Sequence, residues 1–290
     1  MEIFRALAVF AEPPDRAGVG RVAEALGLGP LPDVSSYTDT FVFQLYPYAS
    51  VYLGDEGMLG GEARDRIAGF LKALGQEEPP HEPDHLATLL GAYAALCASE
   101  EGAGGARARE HFRLARRAFL WEHLLSWLPV YLDKLSHVAS RFYRRWGELL
   151  RAVLDEEAAS LGAQETLPLH LREARTLADP RATSSGEFLQ TLLAPARSGL
   201  IIVRDDLARA ARGIGTGLRA GERTFALRSL FGQDAPATLE WLAAEADAWE
   251  SLHARRGETH GRVAEWWASR ARASARLLRE LRNDVGTLSE

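Results

Sequence analysis

The sequence predicts an all-α protein, and three observations carry that expectation. Apolar residues recur at helical spacing through nearly every long segment. Ala, Leu and Arg, all good helix formers, dominate the composition. The alternating apolar–polar runs of a half-buried sheet are missing. With 290 residues, 47% of them hydrophobic, the chain is long enough to bury a full core.

The elements follow in chain order. Over 62–75, Ile67, Phe70, Leu71 and Leu74 share one face and Gly75 closes the run. Over 83–98, Leu86, Leu89, Leu90, Tyr93 and Leu96 do the same, and Gly102, Gly104 and Gly105 then break the pattern. From Arg107 to about Leu135 the spacing of Phe112, Ala115, Phe119, His123, Trp127 and Tyr131 is near-helical, with Pro129 placed to interrupt it. Val138, Phe142, Trp146, Leu149 and Val153 continue the pattern over 136–157. The polar stretch 160–185, with Pro168 and Pro180, predicts a connection holding one short helix over Leu169–Leu177.

Ser184 and Glu187 have capping-box spacing. Leu200-Ile201-Ile202-Val203 is strand-like in composition but has no partner run, so it is expected as buried helix. Gly213-Ile214-Gly215-Thr216-Gly217 follows a helical pattern and lacks the ending of a phosphate loop, so it predicts a helix break. Asp234 and Pro236 open a helix carrying Leu239, Leu242 and Trp249. An Arg-rich helix from about Thr259 to Asn283 completes the set.

Charge is unevenly spread. Net charge is −6, yet residues 1–100 hold 15 acids against 6 bases, a balance of −9. A field of this sign repels nucleic acid and attracts cationic partners; ordinary solvation of helix surfaces is the plainer reading of the same charges. Cys97 stands alone, which excludes an intramolecular disulfide or cysteine metal cluster and fits a reducing cytoplasm. Met1 to Phe10 lacks the character of a signal peptide, and no run approaches the roughly 20 apolar residues of a membrane span.

The run Pro79-Pro80-His81-Glu82-Pro83-Asp84-His85-Leu86 is the most informative. Literally it contains H-E-x-x-H, which as a zinc site needs both imidazoles one turn apart on a helix and Glu82 between them as general base. Pro83 opposes that geometry, because proline is tolerated at a helix start and disruptive inside one. The expectation is therefore an extended His81, with Pro83 in the first helical turn. His111, His123 and His137 sit in helical stretches, where satisfied histidines outnumber catalysts. Phe119, Trp121, Trp127 and Tyr131 are expected mainly as core.

Four stretches together resemble the TorD/DmsD group of cytoplasmic chaperones that mature molybdenum-cofactor oxidoreductases. Tyr37-Thr38-Asp39-Thr40-Phe41 is similar to that family's Tyr-x-x-Leu-Phe element, with Thr40 in place of leucine. Pro47-Tyr48-Ala49-Ser50-Val51-Tyr52-Leu53 resembles its Pro-Tyr-x-Ser-aromatic-Leu segment. Glu82-Pro83-Asp84-His85 is similar to its Glu-Pro-x-Asp-His hinge, one residue shorter. Phe119 to Trp127 resembles its Phe-x-x-x-His-Leu-x-x-Trp helix. The likeness covers about residues 1–158, and 186–290 goes beyond the usual family length.

The resemblance implies a two-subdomain helical bundle over 1–158 (about 1–82 and 107–158, with a hinge and linking helix over 82–106); outside it, the polar composition sets off a linker over 159–185 and the helical spacing a C-terminal domain of unassigned role over 186–290. It implies a non-enzymatic chaperone that holds the twin-arginine signal peptide and apo catalytic subunit of a molybdopterin oxidoreductase until its cofactor is loaded. The peptide site it implies comprises Tyr37, Asp39, Phe41, Tyr48, Tyr52, Glu82, Pro83, Asp84, His85, His123 and Trp127. Asp39, Glu82 and Asp84 are to receive the arginines, and Tyr48, Tyr52 and Trp127 the apolar stretch. Guanine nucleotide or molybdenum cofactor binding stays open, as does monomer against domain-swapped dimer. Two other classes compete: a helical metal-dependent hydrolase using His81, Glu82 and His85, and a generic helical interaction scaffold indifferent to paired arginines.

Overall fold

Helix after helix follows the apolar spacing of the sequence, and the computed structural model describes residues 2–75, 78, 80–219 and 221–287. In chain order these are α1 (Glu2–Ala8), α2 (Val19–Ala25), α3 (Val34–Tyr37), α4 (Ala49–Leu53), α5 (Gly61–Ala73), α6 (Leu86–Glu101), α7 (Ala106–Phe119), α8 (Leu128–Val138) and α9 (Arg141–Leu161). Then come α10 (Leu169–Glu173), α11 (Ser185–Leu192), α12 (Pro195–Ser198), α13 (Arg204–Ile214), α14 (Arg223–Gln233), α15 (Ala235–Ala254) and α16 (Gly257–Thr287). Two π-helical segments, Thr38–Gln44 and Leu120–Leu124, extend α3 and α7. Among the described residues the only β pairing is one isolated bridge, Tyr48 with His85, so the fold is all-α.

Met1–Ser50 with Leu59–His170 forms one compact unit, and Val51–Met58 with Leu171–Glu290 a second. In the first, α6 is apolar nearly all round and packs against α1 and α7. Tyr93 on α6 stacks edge-on against Phe4 at 4.7 Å, and Phe41 does so against Tyr143 at 4.7 Å. The indole of Trp146, fully buried, donates to the Leu7 carbonyl at 3.0 Å, so its one polar atom is satisfied. Arg116 alone among the arginines of 107–117 joins two carboxylates, Glu100 at 2.8 Å and Glu157 at 2.6 Å, while Tyr93 donates to Glu157. The expected break at Gly102–Gly105 separates α6 from α7, and Pro129 opens α8 in the first turn rather than kinking it.

The second unit is organised by the hairpin of α15 and α16. Arg272–Glu250 (2.7 Å), Arg279–Asp247 and Arg282–Glu240 cross it in the order an antiparallel pair requires. Asp234 caps α15 by accepting from the Ala237 N–H at 2.9 Å, with Pro236 in the first turn, as the sequence predicts. Ser184 likewise accepts from the Glu187 N–H at 3.1 Å. Gly215, left-handed at φ 80°, closes α13, which is the helix break expected of the 213–217 glycines. Val51–Met58 groups here because Asp55 pairs with Arg175 at 2.6 Å and Gly57 lies directly against the Ala194 backbone.

Three expectations are corrected. Leu200–Val203 is buried but not helical: Gly199 ends α12 in the left-handed region, and Val203 is the extended N-cap of α13, its N–H taken by Asp206 at 2.9 Å. Pro83 lies in a turn, not in the first helical turn; α6 begins at Leu86 with His85 as its N-cap. The short helix expected over Leu169–Leu177 stops at Glu173. Pro79 lies outside the described residues.

Candidate functional site

Two short segments of the first unit are sewn together around the His-Glu-Pro-Asp-His run. The Ala49 N–H donates to the Asp84 carbonyl at 3.0 Å and the Leu86 N–H to the Pro47 carbonyl at 2.8 Å. The buried Asp84 carboxylate accepts from the Ser50 N–H at 3.2 Å, at the start of α4. A carboxylate at a helix start satisfies an orphan donor and complements the positive end of the helix. His85 caps α6 in the same manner, its Nδ1 accepting from the Ala87 N–H at 3.2 Å.

This stitching lays Tyr48 across the site. Its ring meets His85 edge-on at 4.8 Å, and its hydroxyl donates to the exposed Glu82 at 2.7 Å. Burial, and then Glu82 as acceptor, raise the Tyr48 hydroxyl above the ordinary tyrosine range. Burial lowers His85, against the opposing pull of Glu12, Glu82 and Asp84. Burial also raises Tyr37, with Glu12 adding to it; the Tyr37 hydroxyl reaches the Ala11 carbonyl at 3.4 Å. Glu12, which pairs with Arg16 at 2.5 Å, therefore belongs to the same electrostatic neighbourhood as Tyr37 and His85.

The structure thus brings Tyr37, Tyr48, Glu82, Pro83, Asp84 and His85 together, with exposed Asp39 on the neighbouring π-helical segment. It places Phe41, Tyr52 and Trp127 in the core, at 1%, 2% and 0% exposure. Phe41 packs on Tyr143 and Trp146, and the Trp127 indole donates to the His123 carbonyl at 2.9 Å. Sequence reasoning missed Glu12 and an exposed apolar run, Val42 (43%), Phe43 (50%) and Tyr46 (37%). A signal was present: Phe41-Val42-Phe43 cannot all lie within one helical stripe. The π-helical turn, closed by the Leu45 N–H on the Thr40 carbonyl at 2.8 Å, decides which of them is buried.

His81 and Glu82 sit in bends ahead of α6, so the two imidazoles of the H-E-x-x-H string do not share a helix face. Among the described residues no three His, Cys, Asp or Glu side chains gather as metal ligands, and no helix is long and apolar enough to cross a membrane.

His123 is a different kind of residue. It is buried at 4% exposure, ringed by Phe70 at 4.7 Å, Phe119 at 5.3 Å and His170 at 6.0 Å, and neither ring nitrogen has a hydrogen-bond partner. Burial, reinforced by His170, pushes its pKa down to about 3. The folded unit therefore holds it neutral, whereas the unfolded chain takes up a proton near pH 6.5. Its contribution to stability is complete above that pH and is lost as the pH falls from about 6.5 toward 3. Urea denaturation should show about 2 kcal/mol lost from this group between pH 7.5 and pH 5. His123→Phe, which suits the aromatic surroundings, should remove that part of the acid dependence. Parallel acid losses in the two proteins would count against a neutral buried imidazole.

Comparison with known proteins gives the geometry a family context. Residues 31–133 match the family model described as nitrate reductase delta subunit. Over 113 residues the chain is 35% identical to the selenate reductase assembly chaperone protein of Thauera selenatis, covering 39% of this chain and 57% of that protein. This stretch of the chain is also similar to TorD-type chaperones. Chaperone protein TorD of Vibrio vulnificus is 36% identical over 93 residues, 31% of this chain and 43% of the relative. The chlorate reductase assembly chaperone protein of Ideonella dechloratans is 36% identical over 92 residues, 31% of this chain and 47% of the relative. The chain spans about half the length of these curated relatives. The matched stretch takes in Tyr37, Asp39, Tyr48, Glu82 and His85, so most of the stitched site lies inside it.

Proposed function

We propose that this protein is a non-enzymatic maturation chaperone for a molybdenum-cofactor oxidoreductase. In this reading it holds the twin-arginine signal peptide of the apo catalytic subunit until the cofactor is inserted. The relatives named as TorD and as assembly chaperones of selenate and chlorate reductases support the general role. The observation that supports the peptide reading is that the first unit exposes two carboxylates, Asp39 and Glu82, and an apolar run, Val42, Phe43 and Tyr46, shortly after Asp39 in the chain. Arginine pairs bidentately with carboxylates. A peptide with two arginines followed by an apolar stretch has the complementary order of groups.

Asp84 is spent as a buried cap, so its substitution would disturb the fold; Glu82 is the carboxylate to change. Calorimetry should rank the wild-type peptide above a variant with both arginines replaced by glutamine. Glu82→Gln should weaken the wild-type peptide by about ten- to a hundredfold, because a hydrogen bond to a charged group contributes about 1.5–3 kcal/mol. Added salt should weaken binding only in part, since the apolar stretch stays buried. Equal affinity for the two peptides would remove paired arginines from the recognition and leave a scaffold that grips some other part of its client.

A further inference from the structure

The second unit contains a cavity of about 310 Å³ whose lining includes four arginines, Arg181, Arg197, Arg270 and Arg276, and two acids, Asp179 and Glu280. The acids are committed to two of the cations. Arg181 pairs with Asp179 at 2.7 Å and Glu280 at 3.2 Å, and Arg276 approaches Glu280 at 3.9 Å. Arg197 and Arg270 have no carboxylate partner among the described residues.

These two arginines are held by neutral groups alone. The Arg197 Nε donates to the Thr176 carbonyl at 3.0 Å. Arg270 donates to the Arg175 carbonyl at 2.7 Å and the Ala174 carbonyl at 3.0 Å, and its guanidinium lies over the Trp266 ring at 4.6 Å. Three successive carbonyls thus fix the direction of both side chains without cancelling their charge. Arg197 is only 7% exposed, and its two terminal nitrogens make no hydrogen bond among the described residues. Burial lowers the proton affinity of each guanidinium, the more distant charge of Asp55 opposes that at both, and the Arg197 charge lowers that of Arg270 further. Among the described residues both cations are thus held without a directly bonded carboxylate, a setting that favours a bound anion.

The position of Arg197 is not accidental to the packing. It sits on α12, which is pressed against α16 through the Ser274 hydroxyl on the Ser198 carbonyl at 2.6 Å and the close approach of Gly199 to Ala271. That contact brings Arg197 beside Arg270, although 73 positions separate them in the chain.

We propose that this cavity binds a doubly charged tetrahedral oxyanion, a phosphate group, with Arg197 and Arg270 as its principal ligands and Arg276 at the rim. Guanidinium groups match phosphate oxygens bidentately and carry a charge that does not depend on pH in the neutral range. The cavity is also larger than the ion itself, leaving room for a small organic remainder on the phosphate.

The test uses the full chain, titrated calorimetrically with inorganic phosphate, glycerol 3-phosphate and acetate at constant ionic strength set with sodium chloride. Phosphate should bind and raise the melting temperature of the protein, and acetate should bind at least about ten times more weakly. Tighter binding of glycerol 3-phosphate than of inorganic phosphate assigns the site to a phosphate ester; equal binding assigns it to the free ion. Arg197→Met should abolish phosphate binding. Arg276→Glu changes an exposed side chain, is expected to leave folding intact, and should weaken phosphate by about ten-fold or more. The proposal is overturned if folded wild-type protein binds neither phosphate compound at millimolar concentration, if acetate binds as well as phosphate, or if both variants retain wild-type affinity.

Discussion

Gly199→Ala is expected to destabilise the second unit by about 3–5 kcal/mol, the largest effect of any single substitution considered for this protein. Gly199 adopts φ 79°, a left-handed conformation that an alanine occupies only at a cost of about 1–2 kcal/mol. The larger part is steric. A Cβ there would stand 2.4 Å from the Ala271 nitrogen and 2.8 Å from its Cα, and both are backbone atoms of α16 that no rotamer change can move. The same glycine accepts a hydrogen bond from buried His253 at 3.0 Å through its carbonyl, so a shift of α12 would also orphan that imidazole. Thermal denaturation followed by circular dichroism should show the loss, and phosphate should no longer stabilise the variant. A loss below about 1 kcal/mol would mean that α12 can move away from α16 without consequence.

Arg116→Met should cost the first unit about 3 kcal/mol, more than any other arginine of the 107–117 cluster. Arg116 joins α6 to α9 by meeting Glu100 and Glu157, with its Nε on the Tyr93 hydroxyl at 3.2 Å. The three charged side chains are only 14%, 14% and 20% exposed, so removing the cation leaves two carboxylates poorly solvated beside each other. Methionine keeps much of the packing of the stem and isolates the electrostatic loss. Urea denaturation at neutral pH measures it, and Glu157→Gln added to Arg116→Met should restore part of the stability. Arg113, exposed on the same helix, serves as the comparison: Arg113→Met should stay within about 0.5 kcal/mol of wild type. Equal effects at the two positions would show that water screens the Arg116 cluster as fully as the surface.

The helices were legible because their signals are local. Asp234 with Pro236, Ser184 with Glu187, and the glycines at 102–105 and 215 mark ends through hydrogen bonds that span three or four residues. Pro83 misled by the same logic. It has the character of a first-turn residue, but bonds to Pro47, Ala49 and Ser50, more than thirty positions away, set the helix start at Leu86 instead. Leu200–Val203 was likewise placed by its neighbours in space, between a left-handed glycine and a capped helix, and not by its own propensity.

The site divides along the same line. The sequence by itself determined the all-helical class, the acidic first third, and the motifs that mark out the Tyr37, Tyr48 and Glu82–His85 neighbourhood. Only the tertiary structure decided that Asp84 is a buried cap while Glu82 is exposed, and that Phe41 and Trp127 belong to the core while Val42 and Phe43 face outward. It alone distinguishes Arg116 from Arg113, and places Arg197 beside Arg270 without an ion pair for either among the described residues. A helix specifies which residues share a face through bonds four residues long. Whether that face meets water, an aromatic ring or a carboxylate depends on chain segments that those bonds do not reach.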